Sequence, residues 1–353
     1  MKIRLAILEN DKNYLSRIVS SFGAKYADEL EIYSFTDYEV AISTLESSKI
    51  DVFISSDIFD IDVAKLPKRC GFAYFVDSAD IESIKEQRAI CKFQKADLIY
   101  KQILSVYSEK AGSISGLKSS DAACKILVFS SPCGGTGTSS LAVACAMRYA
   151  ARGARTLYLN LEKFGTTDIF FDAQGQFDMS DIVFALKSKK SNLSLKLESS
   201  VRQAQSGVYY FAQPKVALDV LELSNEDISQ LISELRLTGS YDYIIIDIDF
   251  ELSKNRLEFY RQAHSVVWAT DGSDVANAKT VSAYNSIAIM EQSLDYSVVA
   301  RLCLAYNKFS NKTGKSLGDI SITNIGGAPR YEHAGPSQVA SQLSTMDMFD
   351  KMA

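Results

Sequence analysis

Apolar and polar positions alternate along most of the chain in two separate series of short strands and amphipathic helices. The first series has five apolar strand segments, four intervening segments with helical periodicity, and a last helix over residues 96–107. The strands are predicted at residues 2–8, 30–35, 51–55, 72–76 and 89–93. Such alternation within about 110 residues is typical of a small doubly wound α/β domain.

The second series begins at Lys125 and continues almost to the end of the sequence. Its strands are predicted at residues 125–130, 155–160, 208–212, 241–247, 265–270, 298–306 and 321–325. Several are apolar on both faces, which is typical of parallel strands buried between helices. Residues 108–123, between the two series, are rich in Gly and Ser and predict a linker. We therefore predict two doubly wound α/β domains, residues 1–107 with a receiver-like (flavodoxin-like) fold and residues 124–353 with a mostly parallel sheet.

Composition and charge narrow the class of protein. Of 353 residues 47% are hydrophobic and 23% are charged, close to the average of folded proteins. Lys and Arg total 38 against 43 Asp and Glu, so no bulk positive field for nucleic acid is expected. Apolar runs are much shorter than the roughly 20 residues of a membrane span, and no signal-peptide pattern is present. Six scattered cysteines and two histidines offer no zinc pattern, so we expect a reduced cytoplasmic protein.

The most informative segment joins the strand at 125–130 to the helical run that starts at Leu141. Its sequence is Cys133-Gly134-Gly135-Thr136-Gly137-Thr138-Ser139-Ser140. The glycines allow backbone N–H groups to turn inward, and the following helix directs its free N–H groups and dipole to the same point. Ser139 occupies the position where a P-loop places its magnesium-binding hydroxyl, whereas Thr138 occupies the position of the usual lysine. The segment predicts a phosphate-binding loop without that lysine; the alternative is a simple strand-to-helix turn.

This loop resembles the deviant Walker A loop of the MinD/ParA ATPases, whose pattern is Lys-Gly-Gly-x-Gly-Lys-[Thr/Ser]-[Thr/Ser]. The resemblance implies that residues 133–140 bind ATP with Mg²⁺ and that the chain forms a homodimer. In the family, the lysine aligned with Cys133 reaches the partner's nucleotide, and the lysine aligned with Thr138 binds the β and γ phosphates. Both are replaced here, and loss of one such donor typically lowers turnover by about 10² to 10³. We therefore expect ATP hydrolysis to be weak or absent.

Three further segments extend the resemblance. Residues 157–162 are similar to the family's Asp-x-Asp strand end and imply that Glu162 orients the attacking water. Residues 241–247 resemble a Walker B strand and imply that Asp247 holds magnesium together with Ser139; a helix-capping role for Asp247 is the alternative, and Asp249 is a weaker candidate ligand. An acid at the carboxyl end of a buried strand faces the ligand crevice of an open sheet. Asn307, followed by lysine, resembles the residue that reads the adenine edge, and its amide both donates and accepts as adenine requires.

The first domain resembles a receiver domain whose phosphorylation site is degenerate. A working receiver needs carboxylates after its first strand, an acceptor Asp after its third, Ser or Thr after its fourth and Lys after its fifth. The candidates here are Glu9, Asn10 and Asp11, then Ser55, Ser56 and Asp57, then Asp77 and Ser78, and finally Lys92 or Lys95. Counting along the third strand places Ser56 at the acceptor position. We therefore expect protein contact rather than phosphorylation of Asp57.

The two domains together are similar to the TadZ/CpaE group of pilus-assembly proteins. That resemblance implies a localisation or assembly factor of a Tad-type secretion system that builds Flp pili, recruited to a cell pole or to the inner face of the membrane. It also implies that other assembly proteins bind the receiver domain. Nucleotide would then act as a conformational or dimerisation ligand.

Three other classes of protein stay open at this point. A MinD-type positioning ATPase would attach to membrane through a basic amphipathic helix, but residues 337–352 carry little positive charge and predict a solvated closing helix. A ParA-type ATPase would bind DNA, for which the basic stretch 187–196 is the candidate patch. A bacterial tyrosine kinase is the least favoured, because both loop lysines and a tyrosine-rich tail are missing. The side chains of Arg155, Lys163 and Arg330 are candidates to replace the lost charge at the loop.

Overall fold

The computed structural model describes residues 2–78, 80–81, 83–110, 124–171, 177–188 and 193–352. These residues form two compact units. The first unit contains the described residues up to 110 together with 185–188 and 193–200, and the second unit contains the rest. Most of the predicted linker, residues 111–123, lies outside the described residues. Residues 193–200 thus pack within the first unit, although the sequence analysis assigned them to the second domain.

The first unit is a mostly parallel sheet. Its strands are β1 (Ile3–Leu8), β2 (Leu30–Phe35), β3 (Val52–Ser56), β4 (Gly71–Val76), β5 (Ser83–Ile84) and β6 (Gln87–Cys91), and its helices up to residue 110 are α1 (Lys12–Lys25), α2 (Tyr38–Ser47) and α3 (Ala96–Lys110). The strand order is β2-β1-β3-β4-β6-β5, with every neighbouring pair parallel except β5 and β6. The order is that of a receiver-like, flavodoxin-like sheet, which confirms the predicted fold class.

Alternation along β1 shows why helices cover both faces of this sheet. Leu5 and Ile7 pack in one apolar cluster with residues of α1 and α3, while Ala6 and Leu8 pack in another with residues of α2. Successive strand residues point to opposite faces, so a strand with apolar residues on both faces needs a helical layer on each side. Asp11 and Asp37 cap the first turns of α1 and α2 with their carboxylates.

Two of the four intervening segments predicted to be helical are not α-helices, so that part of the prediction was wrong. Between β3 and β4 the chain forms only a short 3₁₀ turn, Val63–Lys65, and Pro67 cannot continue a helix. Between β4 and β6, the described residues form a hairpin in which Ile84 pairs with Gln87. Lys85 and Glu86 both have positive φ, 49° and 63°, as the tight turn of such a hairpin requires.

The chain beyond residue 124 forms a larger sheet with interspersed helices. Its elements are β7 (Lys125–Ser130), α4 (Thr138–Ala151), β8 (Thr156–Asn160), α5 (Thr167–Phe170), α6 (Met179–Lys187), α7 (Leu193–Ser200), β9 (Arg202–Gln203), β10 (Tyr209–Tyr210), α8 (Ala217–Leu221), α9 (Asn225–Leu237), β11 (Tyr243–Asp247), α10 (Lys254–Arg261), β12 (Ser265–Thr270), α11 (Asp274–Glu291), β13 (Leu302–Phe309), β14 (Thr323–Pro329) and α12 (Pro336–Ser344). The strand order is β14-β13-β12-β7-β11-β8-β10-β9, and only β9 runs antiparallel to its neighbour.

This strand order positions a ligand crevice beside β7. In the strand order, β8 lies to one side of β7, and the later strands β12, β13 and β14 lie to its other side. In open α/β sheets ligands bind outside the carboxyl ends of the strands, where the strand order reverses. Helix α4 follows β7 directly, and its buried residues, among them Leu141, Cys145 and Tyr149, fix it on the sheet. The sequence 131–137 therefore lies at the reversal point.

The last described residues pack into the core of the second unit. A 3₁₀ helix, Asp347–Met352, buries Met348, Phe349 and Met352, and Asp350 forms ion pairs with Arg148 and Arg152 of α4 and the turn that follows it. The prediction of a solvated closing helix was therefore wrong for residues 347–352, whose apolar side chains fill the core, whereas most residues of α12 are exposed. No helix among the described residues is long and apolar enough to cross a membrane.

Candidate functional site

The loop between β7 and α4 has the backbone of an anion cradle. Gly135 and Gly137 are left-handed, with φ of 79° and 81°, and a Cβ added at Gly137 would collide with Asn307 Nδ2. A Cβ added at Gly134 or Gly135 would meet no atom within 4 Å, so this side of the loop faces open space. Gly137 is the N-cap of α4 and supplies no side-chain cap. The free N–H groups of the first turn are thus left for an anionic ligand.

Hydroxyl groups fix the shape of the loop. Ser131 Oγ lies 2.6 Å from the carbonyl oxygen of Ala269, at the end of β12, and accepts a hydrogen bond from the N–H of Cys133. Thr136 is buried, and its hydroxyl lies 3.1 Å from Ser131 Oγ and 3.2 Å from the carbonyl oxygen of Cys133. Ser131 was not predicted as a site residue; its position at the end of β7, next to the loop, was the available signal.

The predicted acidic residues meet at the carboxyl ends of β8 and β11. Ser139 Oγ donates to Glu162 Oε2 at 3.2 Å, and Asn160 Nδ2 donates to the same oxygen at 3.2 Å. Tyr158 donates its hydroxyl to Asp247 Oδ2 at 2.8 Å. Tyr158 was missed in the sequence, although it lies two residues before Asn160 and therefore on the same face of β8. The structure thus brings Ser139, Glu162 and Asp247 together, and their predicted roles in metal binding and catalysis stay predictions.

The environment disfavours the charged forms of both acids. Burial, and then the negative charge of Glu162, raise the pKa of Asp247 well above its usual range. Burial and the charge of Asp249 raise the pKa of Glu162, and hydrogen bonds from Asn160 and Ser139 offset part of this increase. Asp247 is fully buried, and its Oδ1 has no hydrogen-bond partner at bonding distance. No cation is among the causes that shift either pKa, so no described cationic side chain stabilises the charged forms of these acids.

A divalent cation fits this cluster on chemical grounds. Among the described residues, no group of three or more His, Cys, Asp or Glu side chains could hold a metal ion alone. Mg²⁺, however, typically takes one or two protein oxygens and completes its coordination with water and phosphate oxygens. Ser139 Oγ and the unpartnered Asp247 Oδ1 are oxygens of this kind, and a cation would neutralise the charge that burial disfavours. Asp249 instead accepts the backbone N–H of Lys163 at 2.8 Å.

Asn307 and Lys308, in β13, both contact the loop. Asn307 is 2% exposed and donates Nδ2 to the carbonyl oxygen of Thr136 at 2.8 Å. Lys308 donates Nζ to the carbonyl oxygen of Gly135, also at 2.8 Å. The amide of Asn307 thus braces the loop, and its predicted contact with adenine stays a prediction.

A cavity of about 270 Å³ opens beside these residues. It is lined by Ser140, Asn307, Lys308, Pro329, Arg330, Tyr331, Ala334, Pro336 and Val339. It therefore extends from the first turn of α4 to the segment between β14 and α12. The cavity adjoins the phosphate loop, so a ligand with an anionic end and a flat organic end could occupy both.

The positively charged candidates of the sequence analysis lie in different places. Arg155 pairs with Asp242 at 2.7 Å, at the amino ends of β8 and β11 and thus at the edge of the sheet opposite the loop. The side chain of Lys163 is exposed, and Arg330 lines the cavity. Cys133 and Thr138, at the two lysine positions of the family, are partly exposed. Lys308 is the cation whose hydrogen bond to the loop the structure records.

The corresponding edge of the first unit contains an internal ion cluster. Lys92 is 10% exposed, and its Nζ lies 2.7 Å from Asp77 Oδ1 and 3.3 Å from the fully buried Glu9 Oε2. Burial alone would lower the pKa of Lys92, but the hydrogen bond to Asp77 and the charge of Glu9 outweigh it and raise that pKa. Lys92, rather than the exposed Lys95, therefore faces the acids.

The remaining receiver candidates do not form a metal-binding cluster with it. Asp11 caps α1 by accepting the N–H groups of Asn13 and Tyr14. Ser56 is the last residue of β3 and is buried, whereas Asp57 is exposed just beyond it. The acid needed to accept a phosphoryl group thus stands outside the strand, while the local lysine is held by other carboxylates.

The fold and the loop define the class of the second unit. An open, mostly parallel sheet with a glycine-rich loop between a strand and the N-terminus of a helix is the arrangement of P-loop nucleotide-binding proteins. Solved structures of other proteins share this fold. A ParA family ATPase from Chlorobium tepidum TLS is 17% identical, with 66% of this chain and 98% of that chain covered and a TM-score of 0.51. The MinC:MinD cell division protein complex from Aquifex aeolicus is 14% identical, with 65% and 96% covered and a TM-score of 0.50.

A comparison of families addresses the first unit. Residues 1–108 match the family described as TadZ-like, receiver domain. Comparison with curated protein sequences found no match. The predicted architecture is thereby confirmed: a TadZ-like receiver domain precedes a unit with the fold of the MinD and ParA ATPases. At these low identities the solved structures show the fold alone.

Proposed function

We propose that this protein is an Mg-ATP-binding localisation or assembly factor of a Tad-type secretion system that builds Flp pili. Nucleotide acts in this proposal as a conformational or dimerisation ligand, and hydrolysis is slow or absent. The TadZ-like match of residues 1–108 and the MinD/ParA fold of the second unit support the assignment to such a system. Other assembly proteins are the proposed partners of the receiver domain, and a cell pole or the inner face of the membrane is the proposed location.

One observation carries the nucleotide part of the proposal. An uncapped helix N-terminus, the left-handed Gly135 that faces open space and a buried carboxylate oxygen without a hydrogen-bond partner all lie around the same loop. A ligand with phosphate oxygens and a divalent cation would fill the open space, accept hydrogen bonds from the free N–H groups and pair with the carboxylate oxygen. A simple strand-to-helix turn has no need of the acidic cluster.

The roles follow from the positions of the side chains. The backbone of residues 133–138 and the first turn of α4 would bind the phosphates, with Ser139 and Asp247 as the metal ligands. A bound Mg²⁺ would supply positive charge to the phosphate oxygens. Glu162 would orient water, and burial raises the pKa of its carboxyl group. Binding needs only the ground-state contacts, whereas turnover also needs positive charge that appears at the transition state. Without lysine at 133 and 138, binding without rapid turnover is expected.

Thermal unfolding of the full chain tests the metal ligand. We expect Mg-ATP to raise the melting temperature of the wild-type protein and to have little effect on Asp247→Asn. Asp319→Asn is the matched control, because Asp319 is exposed and outside the site. Equal ligand-induced shifts in wild type and Asp247→Asn would exclude Asp247 as a metal ligand.

Sedimentation and co-sedimentation test the association partners. A homodimer that forms with Mg-ATP is expected; a monomer both with and without nucleotide would contradict it. The alternative of a membrane- or DNA-associated positioning ATPase predicts binding to anionic liposomes or to duplex DNA. The burial of Met348, Phe349 and Met352 in the core counts against membrane attachment through these residues.

A further inference from the structure

An irregularity in β13 directs two consecutive side chains to one loop. In a regular strand, neighbouring side chains point to opposite faces. Asn307 and Lys308 nevertheless both donate to carbonyl oxygens of the phosphate loop. The pairing of β13 with β14 shifts its register between Tyr306 and Phe309, which flank this pair. Such bulges are frequent next to functional sites, where they redirect a side chain.

The backbone of Lys308 is unusual in the same place. Its φ is 56°, in the left-handed region that residues other than glycine rarely adopt. A conformation of this kind persists only where its surroundings enforce it, and such residues cluster at ligand sites. The Lys308 stem passes next to Gly137, where an added Cβ would lie 3.4 Å from its Cε. The side chain therefore runs along the loop, and its ammonium group ends at Gly135.

We propose that Lys308 supplies, from β13, the positive charge to the nucleotide phosphates that the loop itself lacks at Cys133 and Thr138. This inference rests on the proposed function and adds a phosphate-binding residue to that site. The acceptor that Lys308 contacts, the carbonyl oxygen of Gly135, is uncharged. A phosphate oxygen is a stronger acceptor for an ammonium group, because charge-assisted hydrogen bonds are roughly twice as strong as neutral ones.

The position of the ammonium group fits this role. Gly135 lies in the middle of the loop, and on its open side an added Cβ would meet no atom within 4 Å. Lys308 also lines the adjoining cavity, so its ammonium group lies between the loop and the space for the rest of the ligand. Arg155 is held at the opposite edge of the sheet by Asp242. Arg330 lines the same cavity and is the natural competitor for the role.

Calorimetric titration of the full chain with Mg-ATP provides the first test. Lys308→Met keeps the aliphatic stem and removes the charge, and we expect it to weaken Mg-ATP binding by about 10-fold or more. Lys312→Met is the matched control, because it removes the same charge from an exposed position four residues further along the chain and should leave affinity unchanged. Adenosine, which has no phosphates, should bind equally to wild type and Lys308→Met, as measured by saturation-transfer NMR.

A double mutant separates a phosphate contact from a structural role. If Lys308 replaces the loop lysine, Thr138→Lys should make it dispensable, and Lys308→Met should then cost less than about 3-fold in Mg-ATP affinity. If the role of Lys308 is purely structural, Lys308→Met should weaken Mg-ATP binding as much in the Thr138→Lys background as it does in the wild type. The melting temperature of each variant without ligand verifies that it is folded.

The results separate failure of this inference from failure of the proposed function. If wild type binds Mg-ATP and Lys308→Met binds it equally well, or if Arg330→Gln alone causes the loss, the assignment of Lys308 is overturned and the nucleotide site stands. An equal loss of adenosine binding would also overturn it, since the contact would then be to the nucleoside. If wild type binds no Mg-ATP, the proposed function and this inference are both overturned.

Discussion

The phosphate loop of the second unit and the ion cluster of the first unit (Glu9, Asp77 and Lys92) both lack residues that their motifs require. The residues that are left differ between the two. In the first unit, the lysine that remains is held between Glu9 and Asp77. In the second unit, the acids that remain, Glu162 and Asp247, have no cation beside them within the described residues, and one oxygen of Asp247 has no partner. A lysine offsets part of the acidic charge in the first cluster, and no described ion pair does so in the second.

A site can therefore persist after some residues of its motif are lost. A buried charge that the protein neutralises internally has no further need of a ligand. A buried charge without such a partner costs folding free energy, and a ligand that supplies the opposite charge recovers it. We therefore expect no metal at the degenerate receiver edge and propose that the degenerate phosphate loop binds one.

Restoring the loop lysine should have the largest effect. Thr138→Lys places a positive charge at the first turn of α4, beside the proposed phosphates, and we expect ATP turnover to rise by about 10² to 10³. Steady-state phosphate release measures it. Glu162→Gln in the same background should abolish the gain; an unchanged rate in Thr138→Lys would show that the missing lysine does not limit hydrolysis.

Removing Lys92 from the ion cluster of the first unit should have the next largest effect, a loss of stability. Lys92→Met leaves the fully buried Glu9 without its ion pair, and we expect the free energy of unfolding of the first unit to fall by about 3 kcal/mol. Urea denaturation of the full chain measures the change. Adding Glu9→Gln should recover part of the loss. An unchanged urea midpoint in Lys92→Met would show that Lys92 does not stabilise the buried Glu9.

Removing the charge of Asp247 should act in the opposite direction. Asp247→Asn eliminates a carboxylate that burial disfavours, and we expect the ligand-free protein to gain about 1–2 kcal/mol of stability at neutral pH. The same denaturation experiment gives the value for the second unit. The control Asp319→Asn should change stability by less than about 0.5 kcal/mol. A destabilised Asp247→Asn would contradict the view that this charge is uncompensated.

A smaller, pH-dependent effect on stability is expected from another partly buried acid, Glu198 in α7. Burial and then the charge of Glu29 raise the pKa of Glu198, while Lys101 offsets part of this increase. The folded state therefore binds this proton more tightly than the unfolded state, so stability falls as pH rises from the ordinary glutamate pKa through the raised one. Glu198→Gln should flatten that part of the pH–stability profile, and an identical profile would remove Glu198 as its source.

Much of the fold could be predicted because its strands are buried and regular. Strands such as β1, β7, β11 and β12 each contain an uninterrupted apolar run, and the structure has them within a few residues of the predicted ranges. The missed elements are short or depend on distant contacts. β5 and β9 have only two residues each, too few to show a period. The packing of α7 against α3 depends on a contact far along the chain.

The site was predictable where a motif carries it and not where tertiary structure creates it. Ser139, Glu162 and Asp247 follow strands or loops of recognisable sequence, so their convergence at one edge of the sheet was expected. The hydrogen bond between Lys308 and Gly135 arises from a bulge and a left-handed residue that no hydrophobic pattern reveals. The hydrogen bond from the buried hydroxyl of Tyr158 to Asp247 likewise forms only when β8 and β11 pair.

Calorimetric titration of ATP into the wild-type chain, with Mg²⁺ and again with a chelator, measures whether the site binds nucleotide and cation together. We expect saturable binding with Mg²⁺ and much weaker binding in the chelator, because the phosphate loop needs the phosphates and the buried Asp247 needs the cation. Absence of binding heat at millimolar ATP and Mg²⁺ would contradict it and leave a folded adaptor with a vestigial pocket.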